Sequence, residues 1–150
     1  MAARKPPASP NPAAAAPEVG SIVSFPVFKV RRDNRLRAVD AAKAEMLAIS
    51  MAQQGQQTPI WLTLPDAEGY ADLVMGGHRV EAAMILGWSS IDARHTAETD
   101  RRKLRLMEID ENLARVELTA LDRAIHLAER KRIHLELYPE SAQGTAGAEA

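Results

Sequence analysis

Two adjacent glycines followed by a histidine and an arginine form the most informative motif, Gly76, Gly77, His78 and Arg79. Glycines let the backbone approach a ligand closely, and the first amides of a following helix present unsatisfied N–H groups at the positive end of its dipole. Arg79 adds a planar fork suited to phosphate oxygens, and His78 can donate a hydrogen bond. The motif predicts a phosphate site. A tight turn with two solvated side chains is the alternative that these residues alone leave open.

A second cluster combines three carboxylates, an amide and a guanidinium: Glu108, Asp110, Glu111, Asn112 and Arg115. Carboxylate and amide oxygens are ligands that suit Mg²⁺, which usually accompanies nucleotide phosphates. Because Glu111 and Arg115 are four residues apart, the pattern equally predicts an ordinary ion pair on the surface of a helix. Both interpretations stay open on the residues alone.

Three basic clusters are the candidate sites of contact with nucleic acid. The net charge is −1 and the sequence pI is about 6.4, so contact with DNA must be local rather than a property of the whole chain. A solvated helix face is the alternative for each cluster. The clusters are Arg31, Arg32, Arg35 and Arg37; Arg101, Arg102, Lys103 and Arg105; and Arg130, Lys131 and Arg132.

Composition excludes several classes of protein. The chain has no cysteine, which rules out a disulfide framework, a thiolate nucleophile and a cysteine-based zinc site. The four histidines lack the spacing of zinc ligands. No apolar run reaches the roughly 18 residues of a membrane span. We therefore expect a soluble, cytoplasmic protein without contact to a membrane.

The pattern of elements predicts an α/β domain at residues 21–138 between two disordered ends, an Ala/Pro-rich leader at 1–20 and a tail at 139–150. An edge strand is expected at 22–30, a hairpin from 58–64 and 70–75, and a strand at 91–95. A helix with Val39, Ala42, Met46 and Ile49 on its apolar face should end near Gly55.

Three further helices follow from periodicity and from residues that cap helix ends. Val80, Ala83 and Met84 predict a buried helix directly after the two glycines. Asp100 is a suitable N-cap for a helix to about Leu113, with Leu106, Ile109 and Leu113 on one row. Thr119 opens the last helix, which should extend to about Leu137.

The order of three motifs resembles the N-terminal domain of the ParB partition-protein family, whose fold is shared with sulfiredoxin. The motifs are 55–60, where a helix ends and a strand begins with Pro-Ile; 76–83, the phosphate box; and 111–118, which is similar to Glu-Asn-x-Gln-Arg-x-x-Leu. The resemblance covers roughly 22–137. It implies a small mixed sheet packed with helices, followed by C-terminal helices.

What the resemblance implies is binding of a nucleoside triphosphate, CTP in the partition proteins, together with Mg²⁺. It implies a place near the phosphates for Gly76, Gly77, His78 and Arg79, near the base for Gln57, Thr58 and Pro59, and near the metal and triphosphate for Glu111, Asn112 and Arg115. DNA would be contacted weakly through the basic clusters, or indirectly through partner domains. A homodimer or a longer ParB-like partner stays open.

The chain departs from the family pattern at four positions. His78 and Val80 stand where the phosphate box has glutamate and a second arginine, and Ala114 stands where the third motif has glutamine. These departures bear on hydrolysis more than on binding, so CTPase activity stays open, with Glu111 as the candidate catalytic group. Gly77 replaces the cysteine on which sulfiredoxin activity depends, which excludes that reaction.

Three functions are therefore weighed. The first is a nucleotide-binding module for plasmid, phage or chromosome partition; because no helix-turn-helix pattern follows, we expect a bare domain or a piece of a longer ParB-like protein. The second is a Mg²⁺-dependent phosphotransferase or nuclease that uses Glu108, Asp110 or Glu111. The third is a non-catalytic interaction domain with a degenerate pocket.

Overall fold

The structure is a computed structural model, and it describes residues 17–33, 35–115 and 117–145. Most of the predicted leader and the last five residues of the predicted tail lie outside the described residues. The contacts divide the chain between Glu98 and Thr99 into two compact units. We call residues up to Glu98 the first unit and residues from Thr99 the second unit.

The first unit contains a mixed five-stranded sheet in the order β1-β5-β3-β4-β2. β1 pairs antiparallel with β5, β5 parallel with β3, β3 antiparallel with β4, and β4 parallel with β2. The predicted hairpin and the strand at 91–95 are confirmed as β3, β4 and β5. The strands are β1 Val23–Pro26, β2 Val30–Arg31, β3 Ile60–Thr63, β4 Ala71–Met75 and β5 Ser90–Thr96.

The single edge strand predicted at 22–30 is wrong, because a short 3-10 helix at Val27–Lys29 divides it into β1 and β2. These two strands lie at opposite edges of the sheet. Four residue steps span at most about 14 Å, whereas the edges of a flat five-stranded sheet would be about 19 Å apart. The sheet is therefore curled, and the segment around Phe28 connects its two edges.

Helix α1, Ala41–Gln54, begins at Asp40, whose carboxylate accepts the N–H groups of Ala42 and Lys43, and it ends at Gly55 as predicted. Its predicted apolar face is wrong. Met46 and Ile49 are 72% and 61% exposed, and the buried side chains are those of Ala44, Ala48 and Met51. α1 packs against α2, Gly77–Ile85, whose own buried residues include two alanines, and small side chains let the two helices approach closely.

The core of the first unit lies between the sheet and these helices. Val80 and Ala83 of α2 are buried as predicted, whereas Met84 is about half exposed. The largest members of the core are Phe25, Met51, Ile60, Leu62, Leu73 and Ile91. Ile60 and Leu62 are completely buried in β3, so the strand that precedes the candidate site is rigidly seated.

The second unit consists of α3, Arg101–Leu113, and α4, Ala120–Leu137, followed by a 3-10 helix at Pro139–Thr145 within the predicted disordered tail. Both predicted N-caps are confirmed, since Asp100 accepts the Arg102 N–H and Thr119 accepts the Asp122 N–H. Of the predicted apolar row on α3 only Ile109 is fully buried. None of the described helices is both long and apolar enough to cross a membrane.

Candidate functional site

The strand-to-helix turn at Gly76 and Gly77 requires glycine at its first position. Gly76 has φ +107°, a conformation that L side chains rarely adopt, and a Cβ there would lie 2.6 Å from Cγ2 of Ile60. α2 begins at Gly77, directly after β4. The backbone of the turn is thus pressed against β3, and the N–H groups of the first turn of α2 have no acceptor within the helix itself.

Arg79 joins two of the sequence motifs. Its Nη1 donates to the carbonyl oxygen of Pro59 at 2.8 Å, across twenty residues of chain. This hydrogen bond links the start of β3 to the first turn of α2 and fixes the direction of the guanidinium. A Cβ placed on Gly76 would lie 3.0 Å from Nη1 of Arg79, so the positive charge stays close to the glycine turn.

His78 connects the starts of the two helices. The backbone N–H of Asp40 donates to Nε2 of His78 at 3.1 Å, and the carboxylate of Asp40 caps α1. An imidazole nitrogen that accepts a hydrogen bond carries no proton, so this contact requires His78 with its proton on Nδ1. His78 therefore positions the first turn of α1 beside that of α2.

Arg35 lies on the other side of the turn. Its Nη1 donates to the carbonyl oxygens of Leu73 and Val74 at 3.2 and 2.6 Å, which fastens the guanidinium to the end of β4. A Cβ placed on Gly77 would lie 3.8 Å from Nη2 of Arg35. A permanent positive charge is thereby held next to the first residue of α2.

An open cleft of about 570 Å³ extends from Gly77 along the edge formed by β2. Four arginines line it against two carboxylates, so it favours an anionic ligand. Among the residues that the structure describes, Arg37 forms no hydrogen bond or ion pair, while Arg32 is paired with Glu81 at 2.6 Å. The charged lining residues are Arg31, Arg32, Asp33, Arg35, Arg37 and Glu81.

The far rim of the cleft is held by the turn between β3 and β4. Asp66 accepts the Tyr70 N–H at 3.0 Å and pairs with Arg31 at 2.5 Å. The Tyr70 N–H first, and then the Arg31 guanidinium, hold the pKa of the Asp66 carboxyl below its usual value. Asp66 thus stays ionised and fixes both Arg31 and Tyr70, two residues that line the cleft.

The model of the ParB N-terminal domain matches residues 12–113, which is more than half of the chain. This chain belongs to the ParB N-terminal domain family. No protein among the curated sequences matches it. The fold that the resemblance implied is confirmed.

Solved structures of similar fold include the C-terminally truncated ParB of Caulobacter crescentus. With CTP-gamma-S it is 24% identical, with a TM-score of 0.57 over 80% of this chain and 66% of that one. With the centromeric parS site it is 22% identical, with a TM-score of 0.59 over 78% and 58%.

Two further structures belong to other proteins. A Pnob8-like ParB-N domain is 16% identical, with a TM-score of 0.58 over 85% of this chain and 49% of that one. Sulfiredoxin from Arabidopsis thaliana is 33% identical, with a TM-score of 0.48 over 58% and 96%. The chain spans about half to two thirds of the ParB structures it resembles.

The third motif of this ParB N-terminal domain lies in the second unit and is engaged in contacts there. Glu111 accepts two hydrogen bonds from Arg115, one of them from Nε at 3.0 Å, which is the ion pair that the spacing predicted. Asn112 is 6% exposed, and its amide nitrogen lies 3.2 Å from Nε2 of His126. The His126 Nδ1 donates to the Asp122 carbonyl at 2.7 Å, so its Nε2 accepts from Asn112.

The metal ligands implied by the resemblance do not fit Mg²⁺ as they are arranged. The carboxylate of Glu111 is occupied by Arg115, and the side chain of Asn112 is buried against His126. The part of the chain that the structure describes contains no group of three or more side chains that could hold a metal ion.

The place of Arg35 and Arg37 in the cleft was not anticipated from sequence. Arg35 and Arg37 were grouped with a basic run that indicated DNA contact or a solvated face, whereas they line the cleft beside Gly77. The available signal was their position in the chain, between a predicted strand and the start of a predicted helix. Val80 replaces the usual arginine of the ParB phosphate box. It is 1% exposed and belongs to the core, so a charged side chain at that position would be buried away from water, which is energetically costly.

Proposed function

We propose that this ParB N-terminal domain is a nucleotide-binding module of a partition or DNA-maintenance system, with CTP as its ligand. The observation that carries the proposal is the position of Gly77, the first residue of α2, in a cleft lined by four arginines. The N-terminus of a helix, a backbone free of Cβ atoms and fixed guanidinium groups are the three elements that phosphate binding uses.

The size and charge of the cleft support a nucleotide rather than a single phosphate ion. Its volume of about 570 Å³ is within the range of small-molecule sites, roughly 300–1,000 Å³. Arg37 forms no hydrogen bond or ion pair with the described residues, so its guanidinium can bind a phosphate without losing a contact within the protein. Arg35 is already held in place by β4, so little side-chain entropy is lost when a ligand binds.

The choice of CTP rests on the family. A ParB of similar fold was crystallised with CTP-gamma-S, and that structure covers most of this chain. Mg²⁺ enters the proposal only as the ion that accompanies the triphosphate. From the resemblance, Gln57, Thr58 and Pro59 are proposed to lie near the nucleotide. Contact with DNA, through the basic clusters or a ParB-like partner, belongs to the same proposal.

Calorimetric titration tests the proposal. CTP, ATP and their diphosphates are titrated, with and without Mg²⁺, into the wild type, Arg37→Ala and Arg79→Ala. We expect selective binding of CTP that Arg37→Ala weakens at least about tenfold, because a charge-assisted hydrogen bond contributes about 1.5–3 kcal/mol. Arg101→Ala removes the same charge from α3, outside the lining of the cleft, and is the matched control.

Thermal unfolding of each variant separates loss of binding from loss of fold, which matters for Arg79 because it holds Pro59. Absence of binding by the wild type to every nucleotide would overturn the proposal and favour an interaction domain with a degenerate pocket. Release of phosphate that is lost in Glu111→Ala would instead favour the enzymatic alternative.

A further inference from the structure

Arg32 and Glu81 form an ion pair inside the cleft. Arg32 follows β2 and Glu81 lies in α2, and Nη1 of Arg32 donates to the Glu81 carboxylate at 2.6 Å across 49 residues of chain. Both side chains line the cleft, and they remain 36% and 35% exposed. Ion pairs that are partly exposed contribute little to stability, so these two groups can exchange partners at low cost.

This pair differs from the contacts of the other arginines that line the cleft. Arg31 is paired with Asp66, which does not line it. Arg35 donates to carbonyl oxygens of β4, and Arg37 forms no hydrogen bond or ion pair with the described residues. Arg32, by contrast, is paired with a carboxylate of the cleft itself. One of the positive charges of the cleft is therefore already matched by an anion of the protein.

Glu81 also lies close to the proposed position of the phosphates. It follows Gly77 by four residues, which places both residues on the same side of α2, one turn and about 6 Å apart along the axis. A phosphate at the N-terminus of α2 therefore has the negative charge of Glu81 next to it. Partial exposure of the carboxylate weakens the repulsion between the two anions but does not remove it.

A carboxylate and a phosphate compete for the same donors of Arg32. A guanidinium binds both kinds of anion with the same fork of N–H groups. Glu81 has an advantage because it is attached to the same chain, which gives it a high effective concentration at Arg32. A ligand must overcome this advantage through its further contacts, which the cleft provides at Gly77, Arg35 and Arg37.

We propose that Glu81 is an internal competitor of the nucleotide, which occupies Arg32 in the free domain and is displaced from it by the phosphates of the ligand. This inference rests on the proposed function, and it adds a residue that lowers affinity to those that provide it. Binding then exchanges one ion pair of Arg32 for another. The segment that follows β2 is thereby released from α2 when the ligand is bound.

Titration of paired variants tests the competition. CTP and inorganic tripolyphosphate are titrated into the wild type, Glu81→Gln, Arg32→Ala and the double variant. We expect Glu81→Gln, which keeps the size of the side chain, to tighten binding of both ligands about fivefold, the fold-change that corresponds to about 1 kcal/mol. Arg32→Ala should weaken binding more in the Glu81→Gln background than in the wild type, because no ion pair has to be broken there before Arg32 binds a phosphate.

Glu45→Gln is the matched control, since it removes the same charge from an exposed position of α1 that does not line the cleft. Its affinity for both ligands should equal that of the wild type. If the wild type binds CTP and Glu81→Gln binds it no more tightly, the competition is overturned and the proposed function stands. Equal tightening by Glu45→Gln would also overturn it, because net charge would then explain the effect. If neither the wild type nor Glu81→Gln binds either ligand, the proposed function and the competition are overturned together.

NMR of the arginine side chains follows the exchange in the wild type itself. The Nε–H resonance of Arg32 is assigned from its loss in Arg32→Lys. We expect saturating tripolyphosphate to shift this resonance, and Glu81→Gln to shift it in the free protein. A resonance of Arg32 that stays in place when tripolyphosphate is bound would overturn the proposal, because Glu81 would then still hold the guanidinium.

Discussion

Gly76 and Gly87 both adopt positive φ, +107° and +67°, but their surroundings differ. A Cβ on Gly76 would meet Ile60, whereas a Cβ on Gly87 would have no atom within 4 Å. We expect Gly87→Ala to lower the free energy of unfolding by about 1–2 kcal/mol, the cost of the left-handed backbone for an L residue. Gly76→Ala should cost about 1–3 kcal/mol more, because it also overpacks the core.

Urea denaturation of the two variants separates the strain of the backbone from the steric clash. Gly87→Ala serves as the matched control, since it changes the same atoms in open space. If the two substitutions lowered the free energy of unfolding equally, the contact of the turn with Ile60 would have no energetic consequence. The site would then tolerate a side chain at its first position.

Asp100 makes the N-terminus of α3 sensitive to pH. Its hydrogen bond with the Arg102 side chain, followed by that with the Arg102 N–H, lowers its pKa from an ordinary 3.8 to about 2. A carboxyl whose pKa is lower in the folded state stabilises the fold above its unfolded value and loses this effect as pH falls through the folded one.

Asp100→Asn keeps an oxygen for the cap but removes the charge. We expect the wild type to be more stable than Asp100→Asn at pH 7. The difference should shrink as pH falls below 3.8 and be lost only as pH falls through about 2. Denaturation followed by circular dichroism at several pH values measures it. A difference that stays constant down to pH 2 would contradict the ion pair with Arg102.

At the scale of elements, α1 buries Ala44, Ala48 and Met51, whereas Met46 and Ile49 are exposed. Ala44 is completely buried, and Met46, two residues away, is 72% exposed. We expect Ala44→Leu to lower the free energy of unfolding by about 1–3 kcal/mol, because it inserts volume where the helix is closely packed. Met46→Gln, which keeps helix propensity, should change it by less than about 0.5 kcal/mol. If urea denaturation showed a larger loss for Met46→Gln than for Ala44→Leu, the apolar face predicted from periodicity would be the buried one.

The contact between α3 and α4 includes a buried polar pair, Asn112 and His126. Asn112→Ala leaves His126 Nε2 buried without its donor, so we expect a loss of about 1–3 kcal/mol of unfolding free energy even without nucleotide. The double variant with His126→Phe should be less destabilised than the sum of the two single variants. Glu111→Ala, on the neighbouring residue, whose side chain is 26% exposed, is the control and should cost at most about 1 kcal/mol. Strict additivity would mean that the two side chains do not interact.

At the scale of the whole molecule, a ligand that binds only the folded chain must stabilise it. CTP at a hundred times its Kd should add about 2.7 kcal/mol to the free energy of unfolding. Arg37→Ala should need a correspondingly higher concentration for the same effect, whereas Arg101→Ala should behave like the wild type. Thermal unfolding monitored over a series of CTP concentrations provides the measurement. Equal stabilisation of all three proteins would show that the ligand does not bind through Arg37.

The sequence by itself determined the elements whose signals are local. The change from alternation to helical spacing around Gly76 and Gly77 marked the passage from β4 to α2, because glycine permits the backbone that this turn needs. Asp100 and Thr119 marked two helix starts, because a cap contacts amides only two or three residues away. The order of three motifs was sufficient to identify the family.

Tertiary structure alone decided which residues meet across long stretches of chain. The run at 22–30 has uniform strand character, yet its halves pair with different strands, β5 and β4, which no local pattern encodes. Periodicity located α1 but chose the wrong face, because the partner helix decided which side chains fit. Arg35 and Arg37 line the cleft. Arg35 and Arg79 each donate a hydrogen bond to a backbone carbonyl oxygen far away in the chain, that of Val74 and that of Pro59. A sequence specifies local backbone conformation through nearby atoms, whereas the partners of a side chain depend on where the rest of the chain has folded.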